Sequence, residues 1–162
     1  MDSPIGCGMM GFAENSGPLC DGLERLKGEH EPLWKRMEEL EKSARRIGSD
    51  PAAENWIEVL FILEERVRSF VEELDLHSRR EEEVLFPLMA GYIGRETGPI
   101  AVMEYEHEQA KIRLAGFLSR MEEVGNVVEA NGARQIAGEV VEAVQILSDH
   151  FRKEENVLFP MA

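Results

Sequence analysis

Hydrophobic side chains recur every three or four residues along four long stretches of the chain. This spacing places them on one face of an α-helix and leaves the opposite face polar. No stretch of useful length shows the alternation of polar and apolar residues that is typical of a half-buried strand. The pattern therefore predicts an all-α protein with four long amphipathic helices.

Glycine and proline mark the predicted ends of the first two helices. The first helical stripe starts at Leu19 and stops before Gly48. We expect the second helix to start directly afterwards, with Asp50 as its N-cap and Pro51 in its first position. It should continue to about Phe86, because Pro87 would end or kink it.

The remaining two helices follow the same rules. Pro99 can open a third helix, and a fourth closes at Pro160. The connections between the four helices are short, which favours antiparallel neighbours. We therefore predict an up-down-up-down four-helix bundle.

The N-terminus differs from the rest of the chain. Residues 1–18 are rich in glycine and proline and have no helical period, so we interpret them as an irregular extension before a helical domain over residues 19–162. Cys7 and Cys20 lie in or next to this extension, and we expect them to be reduced. Whether the extension folds back over the domain or stays mobile is left open.

Composition narrows the class of partner. The net charge of -14 disfavours binding to nucleic acid and to an anionic membrane surface. No apolar run is long enough for a transmembrane helix, and the start of the chain lacks the pattern of a secretory signal. We therefore expect a cytoplasmic protein.

One segment occurs twice, at residues 77–87 and 150–160. Each copy begins with a histidine, has a glutamate four residues later and ends in Leu-Phe-Pro. A spacing of four residues places the histidine and the glutamate on one side of a helix. The other two histidines, His30 and His107, each lie between two glutamates.

All four histidines and two of the glutamates occupy positions in the apolar stripes that would otherwise carry Leu or Val. An unpaired carboxylate inside a bundle is costly, and one or two metal ions would compensate it. Imidazole with carboxylate is a donor set that iron accepts, and zinc, manganese or copper would accept several of the same ligands. The candidate ligands are His30, His77, Glu81, His107, His150 and Glu154.

The same residues have two other interpretations, a structural role for the histidines and a ferritin-like ligand pattern. A single inward histidine is usually a hydrogen-bonded core residue, but here every helix carries one. Glu104-x-x-His107 matches the element of ferritin-like bundles, yet Leu147 stands where the second copy needs its glutamate. Glu104 remains a candidate spare ligand. The neighbouring acids Glu82, Glu83 and Glu155 lie off the inward line and are expected to be solvated.

These motifs resemble the haemerythrin family, in particular its HHE cation-binding domain, over about residues 19–162. The resemblance implies a four-helix bundle that holds two non-haem iron ions joined by an oxide or hydroxide. It also implies that His30 and His77 bind on one side and that His107 and His150 bind on the other. Glu81 and Glu154 would bridge the two ions.

The chain departs from the oxygen-carrying members at two places. Lys111 stands where those proteins have a fifth histidine, and His150-x-x-x-Glu154 replaces a histidine-to-aspartate spacing of five. Four histidines with two glutamates is closer to the di-iron domain of bacterial proteins that repair iron-sulfur centres. Lys111 could donate a hydrogen bond to a bound anion or pair with an acid such as Glu104.

We therefore expect a di-iron protein that binds or reacts with dioxygen, peroxide or nitric oxide, or handles iron, in stress response or iron-centre repair. The alternative is a sensor or adaptor module that responds to metal or oxygen and acts through a partner without turnover. The sequence does not assign catalytic residues or an oligomeric state.

Overall fold

The computed structural model describes residues 18–50, 55–96 and 98–161. These residues form helices and short connections, without a strand among them. The elements are α1 (Pro18–Arg46), α2 (Ile57–Arg80), π1 (Glu81–Leu85), α3 (Phe86–Ile93), α4 (Pro99–Glu123), α5 (Ala130–Lys153), π2 (Glu154–Leu158) and α6 (Phe159–Met161). The predicted all-α fold is confirmed. No described helix combines the length and the apolar character needed to cross a membrane.

The four long helices α1, α2, α4 and α5 form the bundle. Each of them packs against two neighbours, so that they enclose one interior in the order α1, α2, α4, α5. The interior face of each is the apolar stripe predicted from the sequence, and Phe70, Phe117 and Phe151 within it are fully buried. A smaller apolar cluster around Phe86 and Phe159 closes the end of the bundle where both repeats finish.

The start of the second helix differs from the prediction. Helix α2 begins at Ile57 rather than at Pro51, which itself lies outside the described residues. The side-chain oxygen of Asn55 accepts hydrogen bonds from the backbone N–H groups of Ile57 (3.1 Å) and Val128 (3.2 Å). Asn55 therefore satisfies a free donor at the helix start and also ties it to the segment before α5.

Pro87 was predicted to end or kink this helix, and the helical path does not end there. The chain passes through the π-helical turn π1 and continues as α3 to Ile93. A proline inside a regular helix clashes with the carbonyl group four residues earlier. The wider turn shifts the register by one residue, so Pro87 falls in the first turn of a new helix, where its missing N–H is tolerated.

Candidate metal centre

The six candidate ligands converge inside the bundle. Their side chains come from α1, α2, π1, α4, α5 and π2, and none of the six residues is more than 4 % exposed. Glu81 and Glu154 are completely buried. The structure thus brings together the six principal candidate ligands, whereas the spare candidate Glu104 is not part of either group.

These side chains form two groups that share both glutamates. One group is His30, His77, Glu81 and Glu154, and the other is Glu81, His107, His150 and Glu154. Within each group, one donor atom from each residue lies within 4.8 Å of the others. This separation is compatible with a metal ion between them, since ligand bonds to first-row metals are about 2.0–2.3 Å long.

Each glutamate directs one oxygen to each pair of histidines. Glu81 Oε2 lies 3.1 Å from His77 Nε2, and Glu81 Oε1 lies 3.1 Å from His107 Nε2. Glu154 Oε1 lies 2.9 Å from His30 Nε2, and Glu154 Oε2 lies 2.9 Å from His150 Nε2. Both carboxylates therefore span the two groups, as ligands that bridge two cations would.

Several of these buried atoms approach one another without forming hydrogen bonds. Both oxygens of Glu81, Oε2 of Glu154 and Nε2 of His77 and of His150 have no hydrogen-bond partner, because the angles are unsuitable even at 3.1 Å. Buried polar atoms are normally satisfied, and leaving them unpaired is costly. A cation at each group would satisfy them, so the residues fit a pair of metal ions.

Both π-helical turns begin at the shared glutamates. The N–H of Phe86 bonds to the carbonyl of Glu81, five residues earlier, and the N–H of Phe159 bonds in the same way to Glu154. Single π turns are rare and concentrate at functional sites. Here the two copies of the repeat produce the same distortion at the same residue, immediately beside the candidate metal positions.

The outward-facing nitrogen of every candidate histidine contacts a further carboxylate. On α1 and α4 this carboxylate belongs to the residue before a candidate ligand. Glu29 lies 2.8 Å from Nδ1 of His77, and Glu106 lies 3.1 Å from Nδ1 of His150. Such a contact fixes the orientation of the ring and the nitrogen that carries the proton.

The other two outer carboxylates, which were expected only to be solvated, also contact histidines. Glu82 lies 2.8 Å from Nδ1 of His107, and Glu155 lies 2.7 Å from Nδ1 of His30. The indole N–H of Trp34 also donates to Glu155, at 2.8 Å. Glu155 is exposed and Glu82 is partly buried, so solvent reaches both side chains although each contacts a candidate ligand.

Basic side chains hold two of the outer carboxylates in place. Arg80 donates to Glu29, and Lys153 donates to Glu106. Arg80 and Lys153 occupy equivalent positions, three residues after the histidine in each copy of the repeat. The repeat therefore supplies a ligand pair, a π turn and a cation that holds the outer carboxylate.

The buried histidines and glutamates shift one another's pKa values. Burial alone would lower the pKa of His77, but the adjacent carboxylates of Glu154 and Glu81 raise it to about 10. Burial likewise opposes the charged form of His150, yet the negative charge of Glu154 and contacts with Glu106 raise its pKa well above the usual value. The buried carboxylates thus favour the positively charged form of both histidines.

The pKa values of the carboxyl groups Glu81 and Glu106 shift in the opposite direction. Burial alone would raise the pKa of Glu81, but its contacts with Glu154 and three histidines hold that pKa well below the usual value. For Glu106, burial also acts to raise the pKa, and the contacts with His150 and Lys153 outweigh it. The site is therefore built around ionised carboxylates.

The two remaining sequence candidates, Glu104 and Lys111, do not belong to either donor group. Glu104 binds Arg95 through an ion pair of 2.6 Å, and Lys111 is exposed on α4. Cys7 falls outside the described residues. The contacts between the outer glutamates and the histidines were not predicted, because each glutamate contacts a histidine on a neighbouring helix. The sequence does contain a signal for them, since each outer glutamate directly precedes or follows a candidate ligand.

Comparison with known proteins gives the same picture. The family model of the haemerythrin HHE cation-binding domain matches residues 21–162. A protein of Musicola paradisiaca (strain Ech703) named iron-sulfur cluster repair protein YtfE is 33% identical over 94 residues, which cover 57% of this chain and 42% of that protein. No solved structure gives a significant match.

A second relative with the same name comes from Salmonella schwarzengrund (strain CVM19633). It is 37% identical over 93 residues, which cover 56% of this chain and 42% of the relative. The chain thus matches less than half the length of these curated relatives. The family model, in contrast, matches nearly the whole chain, which therefore belongs to the haemerythrin HHE cation-binding domain family.

Proposed function

We propose that this protein holds two non-haem iron ions between its four histidines and uses them in the cytoplasm under oxidative or nitrosative stress. It would bind or react with a small ligand such as dioxygen, peroxide or nitric oxide, or handle iron for the repair of damaged iron centres. The observation that carries this proposal is the pair of buried glutamates, each with one oxygen directed to each histidine pair.

The residues support two ions better than one. A single cation in one group would leave the opposite oxygens of Glu81 and Glu154 buried beside two histidines. In the proposed arrangement, His30 and His77 hold one ion, and His107 and His150 hold the other. Imidazole and carboxylate suit iron, although manganese or zinc would accept the same donors.

When bound, the iron pair would supply redox chemistry and open positions for a small ligand. The protein's own residues do the rest. The outer carboxylates orient the imidazoles, and the apolar cluster around Phe86 and Phe159 excludes water from one end of the site. We expect these contacts to keep the donor atoms in place when a ligand enters or leaves.

The repair role is supported by the printed name of the relatives and by the site that the chain carries. A direct test uses an enzyme whose iron-sulfur cluster has been damaged by nitric oxide. The iron-loaded protein should restore its activity, whereas the Glu81→Gln and Glu154→Gln variants should not. Glu83→Gln is the matched control, because Glu83 is exposed.

One outcome would distinguish the repair role from ligand binding at the iron site. Wild-type protein that loads iron and responds optically to nitric oxide, yet restores no damaged cluster, would contradict the repair role. The proposal of ligand binding at the iron site would then stand alone. Failure of the wild-type protein to take up Fe(II) at all would contradict both.

A further inference from the structure

Two adjoining cavities lie between α1 and α2, at the end of the bundle away from the candidate metal centre. Their volumes are about 350 and 440 Å³, and Ser43, Arg46 and Arg66 line both of them. Arg46 is the last residue of α1, about four helical turns beyond His30. The cavities, together called the α1–α2 groove, are therefore separate from the candidate metal ligands, and each is as large as a typical small-molecule site.

Positive charge is concentrated in the α1–α2 groove, although the chain as a whole is acidic. The chain has 32 Asp and Glu residues against 18 Lys and Arg residues. Among the described residues that line the groove, the one carboxylate is Glu39, and the cations are Arg36, Lys42, Arg46 and Arg66. The local charge is therefore opposite to that of the chain, which favours a negatively charged ligand.

Three of these cations lack a carboxylate partner. Arg36 pairs with a glutamate of α2. Within residues 18–50, 55–96 and 98–161, in contrast, no ion pair involves Lys42, Arg46 or Arg66. Arg66 donates a hydrogen bond to the hydroxyl of Ser43 at 3.1 Å, and a guanidinium keeps further N–H donors after one such bond. The groove thus presents charged donors that the described part of the chain leaves available.

The charge of the groove matches a phosphate monoester better than a carboxylate. Three unpaired cations and the carboxylate of Glu39 leave two positive charges. A phosphate monoester carries about −1.5 to −2 charges at pH 7 and has three acceptor oxygens, whereas a carboxylate carries a single charge. Arginine side chains also bind phosphate oxygens through paired hydrogen bonds, which a groove with two free guanidinium groups can provide.

The second cavity adds an apolar wall to the groove. Trp56, Val59, Ile62 and Leu63 line it. Val59 is 39 % exposed and Ile62 is 54 % exposed, so both present large hydrophobic side chains to water. Contact with an apolar group would remove this surface from water, and the indole of Trp56 favours an aromatic ring as the contacting group.

We propose that the α1–α2 groove binds a phosphate monoester with an aromatic body. The phosphate lies between Arg46 and Arg66, where the Ser43 hydroxyl can donate a further hydrogen bond, and the aromatic body packs against Trp56 and Ile62. This site shares no residue with the candidate metal centre, so the inference goes beyond the proposed function and does not depend on it.

The first experiment is a calorimetric titration of the purified protein with naphthyl phosphate. We expect saturable binding at sub-millimolar concentration, and weaker binding of inorganic phosphate and of naphthol, which each lack one half of the probe. Arg46→Gln and Arg66→Gln should each weaken the binding of naphthyl phosphate about tenfold, because each removes a charged hydrogen bond. Arg120→Gln is the matched control, since Arg120 is exposed on α4 and the substitution removes the same charge.

A second pair of variants tests the apolar wall. Ile62→Asn should weaken the binding of naphthyl phosphate and leave the binding of inorganic phosphate unchanged. Ile112→Asn is the control, because Ile112 is exposed to a similar extent, 52 %, on α4. All the substituted positions are exposed, so the variants are expected to fold as the wild type does.

The outcomes are decisive for the groove alone. Wild-type protein that does not bind naphthyl phosphate would overturn the inference, as would Arg46→Gln and Arg66→Gln variants that bind it like the wild type. Inorganic phosphate that binds as tightly as naphthyl phosphate would overturn the role of the apolar wall. Iron content, measured in the same samples, reports on the proposed function independently.

Discussion

The carboxylate of Glu29 lies 2.8 Å from Nδ1 of His77, although the two residues are 48 positions apart in the chain. Glu29 directly precedes His30 on α1, whereas His77 lies on α2. The same relationship joins Glu106 on α4 to His150 on α5. Helices α1 and α2, and likewise α4 and α5, are thus joined beside the candidate metal centre by a carboxylate from one helix and an imidazole from the next.

The first prediction concerns these outer carboxylates. Glu29→Gln and Glu106→Gln should each lower the affinity for Fe(II) about 10- to 100-fold, because the imidazole loses the carboxylate that orients it. A competition titration against a chelator of known affinity measures this change. Glu83→Gln should bind as the wild type does, and equal affinities for all variants would show that the outer carboxylates do not act on the metal.

The six residues that converge in the candidate metal centre were predictable from the sequence, whereas the carboxylates that contact the histidines from outside were not. His77 and Glu81 replace apolar residues in a helical stripe, which the period alone reveals. The period does not say which neighbour an off-stripe residue contacts. Glu82 and Glu155 were therefore expected in solvent, although both contact histidines on another helix.

The π turns were missed for a related reason. A regular helical period continues the buried stripe from Glu81 to Val84 and Leu85, whereas the wider turn exposes Val84 and buries Leu85 and Phe86. Pro87 was a visible signal, because a regular helix cannot accommodate it in its interior. We interpreted it as an end or a kink of the helix rather than as a sign that the register shifts before it.

The second prediction concerns the pH dependence of the metal-free protein. His77 has a folded pKa of about 10 against an ordinary value of 6.5, so it stabilises the fold fully below pH 6.5. That contribution, on the order of a few kcal/mol, is lost as the pH rises towards 10. Glu81 has a lowered pKa, so it stabilises the fold fully when the pH is above the ordinary glutamate pKa of 4.5. This contribution is lost as the pH falls below that value.

Urea unfolding at pH 5.5, 7.5 and 9.5 tests this dependence. The free energy of unfolding of the metal-free protein should fall between pH 7.5 and 9.5. Iron-loaded protein should not show this fall, because metal-bound imidazole is already neutral. A metal-free protein that gains stability over this range would contradict the raised pKa that the two glutamates give to His77.

The third prediction concerns the turn after α1. Gly48 has a φ of 78°, and a Cβ atom there would lie 2.5 Å from the carbonyl oxygen of Ala130. Gly48→Ala should therefore destabilise the protein by about 2 kcal/mol or more, from left-handed strain and the backbone clash. Gly138→Ala, in an open position of α5, should stabilise it by about 0.5–1 kcal/mol.

Thermal or urea unfolding of the two glycine variants provides the comparison. Because both changes add the same methyl group, the difference between them reports the local backbone rather than general tolerance. Equal effects on the free energy of unfolding would contradict the close approach of Gly48 to α5.

The most direct test of the central claim is the iron content per chain of protein loaded anaerobically with Fe(II). The buried glutamates shared by two histidine pairs predict close to two irons per chain in the wild type and in Glu83→Gln. Glu81→Gln and Glu154→Gln should hold clearly fewer, because each loses a ligand common to both positions. A folded wild-type protein that retains no iron, or a Glu81→Gln variant that retains two, would contradict the account.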